Sequence, residues 1–178
     1  GNGWPRIDNA NIDLLIQGKE LVVTASSAMT AGIRLKNVRA ALPDILSNSL
    51  MLKIQGEAEA ENSRALDYIG LSPVHKYLGG LTDNVTALGS GRLNLKLDIP
   101  LNDEQSTKVK GSYHFTNSEL DFGKIFPTAR RVNGDLMFTE SDVGTTNIVA
   151  NILGGPASLE IGRSPDGATK IRLGGRAN

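Results

Sequence analysis

Strict alternation of apolar and polar residues between positions 92 and 101 most constrains how this chain can fold. The residues on one side of the alternation are Leu93, Leu95, Leu97, Ile99 and Leu101. The residues on the other side are Arg92, Asn94, Lys96, Asp98 and Pro100. Successive side chains of a strand point to opposite faces, so Val85–Leu101 predicts a β-strand with one apolar and one polar face. Any fold built on this strand must cover its apolar face.

Similar segments, bounded by glycine, proline and turn residues, predict a mainly β chain of roughly ten strands. The other predicted strands are Ile12–Gln17, Glu20–Ser27, Ile33–Val38, Leu50–Gly56, Lys108–Asn117, Glu119–Phe122, Val132–Glu140, Thr145–Leu153, Ala157–Arg163 and Lys170–Leu173. Gly18-Lys19 and Asp166-Gly167 are hairpin signals, and Pro43 interrupts the ladder because proline has no N–H to donate. The order of strands and short turns predicts a curled antiparallel meander.

Residues 62–81 break this pattern and predict an insert of two short helices. Ser63 is a candidate N-cap, Leu66 and Ile69 have helical spacing, and Gly70 is a candidate end. Ser72-Pro73 predicts the start of a second helix, because serine caps and proline fits the first helical position. Its inward residues are expected to be Val74, Tyr77 and Leu78. We therefore expect one β segment over 1–178, with strands in 1–61, helices in 62–81 and strands in 82–178.

A loose repeat of glycine, polar, apolar, any, apolar occurs three times. The copies begin at Gly91, Gly111 and Gly134. The pattern is consistent with a structural repeat, and equally with any antiparallel meander with short turns.

Composition and motifs argue against catalysis, metals and nucleic acid. Lysine plus arginine equals aspartate plus glutamate at 19 each, and cysteine is absent. A zero net charge gives no electrostatic reason to bind nucleic acid. His75 and His114 have no second ligand at metal spacing, and Glu140 and Asp142 are typical of a solvated turn. No cofactor, metal site or enzymatic activity is therefore predicted.

The predicted apolar faces need more cover than the helices provide. A helix is about 10–12 Å wide and strands lie about 4.8 Å apart, so two helices cover about four strands. The sheet can close on itself as a sandwich or barrel, or remain an open trough that meets an apolar ligand or further protein.

Several stretches, taken together, resemble the periplasmic part of the YhdP group of AsmA-like proteins. They are GRLNLKLDIPL, KVKGSYHFTNSELDF, RRVNGDLMFTESDV and ILGGPASLEI, preceded by SPVHKYLGG. The resemblance covers roughly residues 50–173. The chain also ends on GGRAN directly after the strand-like KIRL, which favours a segment of a longer protein.

This resemblance implies a segment of an apolar β-groove that conducts phospholipids between the inner and outer membranes of a Gram-negative bacterium. It further implies a periplasmic location, a membrane anchor outside this chain, contact with adjacent segments of the same protein, and no enzymatic activity. Strand alternation assigns the groove lining to Leu93, Leu95, Leu97, Ile99, Tyr113, Phe115, Leu136, Phe138, Ile148, Ile152, Leu159, Ile161, Ile171 and Leu173.

The principal alternative is a structural or protein-interaction β domain of the cell envelope that does not bind lipid. A sugar-binding module is a third possibility, but it would need exposed aromatic platforms, and the chain has a single tryptophan, Trp4. An enzyme is the least favoured class.

Overall fold

The computed structural model describes residues 6–71, 82–163 and 169–175, which are mainly one antiparallel sheet. Its strands are β1 (Ile7–Asp8), β2 (Ile12–Gln17), β3 (Glu20–Thr30), β4 (Ile33–Leu42), β5 (Met51–Glu61), β6 (Thr86–Pro100), β7 (Lys108–Asp121), β8 (Ala129–Thr139), β9 (Val143–Ile152), β10 (Gly155–Arg163) and β11 (Thr169–Gly175). Helix α1 (Asn62–Leu71) follows β5, and 3₁₀ turns occupy Glu104–Ser106 and Gly123–Ile125. The expectation of a mainly β fold is confirmed.

The strands form a meander that is not closed. From β3 to β11, each strand pairs with the next in sequence. Both β1 and β2 pair with β3, with Ile7 opposite Thr30 and Ile12 opposite Ala25. In the described part of the chain, β2 and β11 are therefore edge strands.

Most strand predictions are confirmed, with differences mainly at the strand ends. β1 was not predicted, and β3, β4 and β5 end at Thr30, Leu42 and Glu61, beyond the predicted ends at Ser27, Val38 and Gly56. Glu119–Phe122 is not a separate strand, because β7 continues through this region to Asp121. β6 ends at Pro100, so Leu101 lies in the following turn, 40% exposed, and not on the apolar side of the strand as predicted.

The described residues contain one of the two predicted helices. α1 begins one residue before the predicted cap Ser63 and continues one residue past Gly70. The second predicted helix, with Val74, Tyr77 and Leu78, lies outside the described residues, as do His75, Trp4 and the predicted turn at Asp166-Gly167.

Left-handed residues shift the pairing on several neighbouring strands. Asn37, Asn117, Arg131 and Asn147 have φ between 44° and 56°, and the register shifts near these positions. A bulge adds one residue to one strand and displaces the alternation beyond it. The Asn133 side chain joins two of these bulges, since its Oδ1 accepts from the Asn117 amide (2.9 Å) and its Nδ2 donates to the Arg131 carbonyl (2.9 Å).

Candidate functional site

The strand register brings the predicted lining of the central strands onto one face. Leu93 lies opposite Ala58 of β5 and Tyr113 of β7, and Tyr113 lies opposite Leu136 of β8. Directly opposed residues share a face of a sheet. The alternation of β6 therefore extends across β5, β7 and β8, and we call this surface the apolar face and its opposite the charged face.

The three glycine motifs lie side by side on the apolar face. Gly91 lies opposite Phe115, and Gly111 lies opposite Phe138. A methyl group at Gly91 would overlap the Tyr113 ring, and one at Gly111 would overlap the Phe138 ring. Gly91 and Gly111 therefore provide space for aromatic rings from the neighbouring strand, whereas a methyl group at Gly134 would meet the backbone of β9.

The predicted lining residues differ in exposure. Leu97, Ile148 and Leu159 are buried, at 8%, 2% and 3% exposed, and Leu173 is 44% exposed. The half-buried residues are Leu93, Leu95, Ile99, Tyr113, Phe115, Leu136, Phe138, Ile152 and Ile161. Ile171 lies opposite Ile161 in the register, but its side chain is outside the described part of the structure.

One end of the apolar face is a closed core. The buried cluster comprises Ala87, Leu120, Ala129, Val132, Ile148, Ala150 and Leu159, and we call it the covered end. Leu66 of α1 packs against it, together with Phe115 and Phe122. Ile148 and Leu159 are thus core residues and are not available to a ligand in this conformation.

A buried polar group attaches the first turn of α1 to the sheet. Asn62, 2% exposed, donates through Nδ2 to the Leu88 carbonyl (2.9 Å) and to Ser118 Oγ (2.7 Å). Its Oδ1 accepts from the Tyr113 hydroxyl (2.5 Å). Burial raises the pKa of Tyr113 to about 12, so this hydroxyl remains a donor at neutral pH. Because buried polar groups are stable only when hydrogen-bonded, these contacts fix the helix in one position.

A tyrosine further along α1 lies beside the end of β3. Burial raises the pKa of Tyr68, and the nearby Thr30 side chain opposes that rise. Thr30 is the last residue of β3, and its buried Oγ1 has no hydrogen-bond partner among the described residues, so α1 lies next to β3 without a hydrogen bond from this threonine.

Toward the other end of the same strands, the apolar face is only partly covered. Leu52 lies opposite Ile99, while Ile54 and Val109 flank Leu97 from either side. We call this region the open end. Leu97 is buried, and the other members are half-buried. The open end comprises Leu52, Ile54, Leu95, Leu97, Ile99, Val109, Leu136 and Phe138.

Three members of the open end were not predicted as lining residues. Leu52, Ile54 and Val109 lie on predicted strands but are not among the residues assigned to the groove. The alternation of Leu52 and Ile54 with charged and polar neighbours indicates that these two side chains lie on the apolar face of their strand. The shared face becomes evident only once the strands are paired.

Cross-strand charged and polar pairs cover much of the charged face. The ion pairs that lie directly opposite in the register are Lys53–Asp98 (3.2 Å) and Arg92–Glu59 (3.4 Å), and His114 Nδ1 lies 2.9 Å from Asp135 Oδ1 on the facing strand. They explain why Arg92 and Asp98 alternate with leucine and isoleucine along β6. The sheet thus separates a charged surface from an apolar one.

Three of the residues singled out in the sequence, His114, Glu140 and Asp142, have structural partners. His114 Nδ1 contacts Asp135 across the strand pair. Glu140 accepts from Lys108 Nζ (2.8 Å) and from the Val109 amide (3.0 Å), and these contacts lower its pKa to about 2. The Asp142 amide donates to Thr139 Oγ1 (2.9 Å) in the same turn. Within the described ranges, histidine and carboxylate side chains form no group of three that could hold a metal ion.

Edge strand β2 exposes apolar side chains on both of its faces. Ile12, Leu14, Leu15 and Ile16 are each between 56% and 62% exposed. Edge strands of isolated domains are usually protected by charge, proline or a covering element. This edge is therefore suited to contact with further polypeptide.

None of the helices in the described residues is long and apolar enough to cross a membrane.

The chain has a family match and a curated relative. A family model described as "YhdP protein" matches residues 1–178. The chain is 25% identical over 157 residues to the protein named "Intermembrane phospholipid transporter YhdP" of Escherichia coli (strain K12). The alignment covers 88% of this chain but 12% of that relative, so the chain spans a small part of its length. No solved structure matches.

Proposed function

Because the chain belongs to the YhdP protein family, we propose that it is one segment of a hydrophobic β-groove that conducts phospholipids between the inner and outer membranes. The E. coli relative is named as an intermembrane phospholipid transporter. In this proposal the sheet curls around the apolar face, the acyl chains contact that face, and the segment has neither catalytic residues nor a cofactor. Its location is the periplasm of a Gram-negative bacterium.

The observation that carries the proposal is the open end of the apolar face. Leu95, Ile99 and Phe138 are half-buried there, on strands that also contribute to a closed core at the covered end. Each methylene transferred from water onto such a surface contributes about 0.8 kcal/mol, so several methylenes hold an acyl chain appreciably. Aliphatic walls make no directional bonds, which suits sliding along the groove.

The two faces of the sheet match the two parts of a phospholipid environment. The apolar face shelters hydrocarbon, while the ion-paired charged face remains hydrated. Head groups can remain in water at the strand ends, so the segment does not need to desolvate charges during passage, which is costly.

The edges of the sheet support contact with adjacent segments of the same longer protein. Strand β2 exposes Ile12, Leu14 and Ile16, and its outer backbone groups can pair with a further strand. Such pairing would extend the apolar face beyond this segment. In this proposal the membrane anchor lies elsewhere in the longer protein.

Photo-cross-linking to lipid in cells tests the proposal. Benzoylphenylalanine in place of Ile99, at the open end, should yield phospholipid adducts detected by mass spectrometry. The same residue in place of Asn94, on the charged face, is the matched control and should yield none.

A charged side chain placed on the apolar face tests whether lipid passes along this face. Leu95 is half-buried at the open end, so an arginine there can extend its guanidinium to water. Leu95→Arg should fold and lose lipid adducts, whereas Lys96→Glu should keep both. Lipid adducts at the wild-type level in Leu95→Arg would contradict the proposed path. If neither the wild type nor any variant forms lipid adducts, the structural alternative that does not bind lipid is favoured. Loss of lipid adducts in Lys96→Glu alone would mean that the two faces of the sheet are reversed.

A further inference from the structure

One strand pairing on the charged face brings together two like charges. Lys96 of β6 lies directly opposite Lys110 of β7. Two residues further along the same strands, Asp98 lies opposite Lys108, and these charges have opposite sign. Neither Lys96 nor Lys110 has an ion-pair partner among the described residues, unlike Lys53 and Lys108. Like charges directly opposite destabilise a sheet, so this pair has an energetic cost in the free protein.

The two lysines line a shallow depression of about 400 Å³ on the charged face. Gln55, Asn94 and Ser112 line it as well and offer neutral hydrogen-bond donors. Met137, 41% exposed, gives it one apolar wall.

The charge around this depression is positive. Its acidic lining residue, Glu57, lies on the β5 side, opposite Asn94, and accepts from Asn37 Nδ2 (3.4 Å). The depression thus combines two uncompensated ammonium groups, amide and hydroxyl donors and a small apolar contact.

We propose that this depression docks an acidic segment of a protein, with carboxylates bridging Lys96 and Lys110. Carboxylates pair with Lys36, Lys53 and Lys108 on this face, and a bound pair of carboxylates would relieve the Lys96–Lys110 repulsion. A phospholipid is a poorer occupant, because the polar side chains that line the depression lie on the charged face. Acyl chains that contact the apolar face lie on the other side of the sheet. The inference is independent of lipid conduction, since it concerns the other side of the sheet.

Fluorescence anisotropy with a labelled oligoglutamate peptide at low ionic strength tests the site. Replacing two uncompensated lysines should weaken binding about tenfold in the double variant Lys96→Gln/Lys110→Gln. The matched control is Lys124→Gln/Lys170→Gln, which removes the same charge from exposed positions outside the depression and should bind as wild type does. Labelled oligoglutamine should not bind.

A melting experiment provides a second readout that is independent of the peptide label. Lys110→Gln should raise the melting temperature at low salt, because it removes the repulsion, and the gain should disappear at high salt. Oligoglutamate should raise the melting temperature of wild type and not that of the double variant.

Three results would overturn the proposal: equal loss of binding in the control variant, binding of oligoglutamine, or no change in the Lys96/Lys110 variant. Vesicles of phosphatidylglycerol that displace the peptide through the same two lysines would also overturn it, in favour of a membrane surface. Lys96→Glu is expected to keep its lipid adducts. If the depression does not bind the acidic peptide, the proposed lipid path is therefore unaffected.

Discussion

The covered end and the open end share strands β6, β7 and β8, yet only one is a closed core. In β6, Ala87 at the covered end is 5% exposed, while Leu95 at the open end is half-buried. Large apolar side chains occur at both ends, since the covered end contains Leu120 and Ile148 as well as alanines. What differs is that Leu66 of α1 packs against the covered end. Alternation therefore indicates which face is apolar, and the position of α1 decides which part of that face is closed.

The largest expected effect is the response of the two ends to a buried charge. Val132 is 0% exposed in the covered end, so Val132→Arg places an unpaired guanidinium in a closed core. The cost should be about 3–5 kcal/mol or more, which is a large fraction of the roughly 5–15 kcal/mol that stabilises an ordinary domain. Leu95→Arg at the open end should cost less than half as much, because its charge can reach water. Urea unfolding followed by circular dichroism measures both.

The comparison of the two arginine variants has a matched control on the charged face, and one outcome would contradict it. Lys96→Glu introduces a charge change on the same strand without entering the apolar face, and it should unfold at the wild-type urea concentration or slightly above it, because it removes the repulsion with Lys110. Equal destabilisation by the two arginine variants would show that both ends are sealed, and the open end would then be no groove.

The next effect concerns the polar group that closes the covered end. Asn62→Ala removes three hydrogen bonds and leaves the Tyr113 hydroxyl and Ser118 Oγ without this partner in a buried site. The expected cost is about 2–4 kcal/mol, because unsatisfied buried groups are expensive. Amide exchange should increase in α1 and remain slow in β7. Tyr113→Phe, which removes one of the same bonds, should cost about 1 kcal/mol; an equal loss from both changes would show that Asn62 acts through Tyr113 alone.

The sequence predicted the strands well where alternation is regular, and less well where bulges displace it. Phe115 and Ser118 are three residues apart, which simple alternation assigns to opposite faces. In the structure they lie opposite Gly134 and Val132, which share a face, because the left-handed Asn117 adds a residue between them. An asparagine inside a strand pattern is a weak signal of such a bulge.

The candidate site was predictable in part for a related reason. The strands that carry the lining residues follow from local pattern, but burial depends on which strands pair and where α1 packs. Nothing local distinguishes Ile148, which is in the closed core, from Leu95, which is not. Asparagine at the start of a helix is usually exposed to solvent. The burial of Asn62 becomes evident only when the structure places Tyr113 and Ser118 beside it.

A moderate effect is expected where a glycine makes room for a ring. Gly111→Ala places a methyl group against the Phe138 ring and should cost about 1–3 kcal/mol, as overpacking does. Combining it with Phe138→Leu, which removes the ring, should recover part of the loss in a double-mutant cycle. Gly162→Ala in β10 is the control, since its added methyl group meets nothing within 4 Å. Additive losses from the two changes would mean that the ring does not lie over the glycine.

The smallest expected effect is the pH dependence contributed by Glu140, at the strand ends beyond the open end. Lys108 and the Val109 amide lower its pKa from 4.5 to about 2 in the folded protein. The folded state therefore binds fewer protons than the unfolded chain, so this contribution is full above pH 4.5 and is lost as the pH falls toward 2. Glu140→Gln should flatten the fall in stability across that window, measured by urea unfolding at successive pH values. Lys108→Gln should flatten it partly, because the Val109 bond remains. An unchanged slope in both variants would show that Glu140 is free in solution and that the strand ends at this side of the sheet are not held together by it.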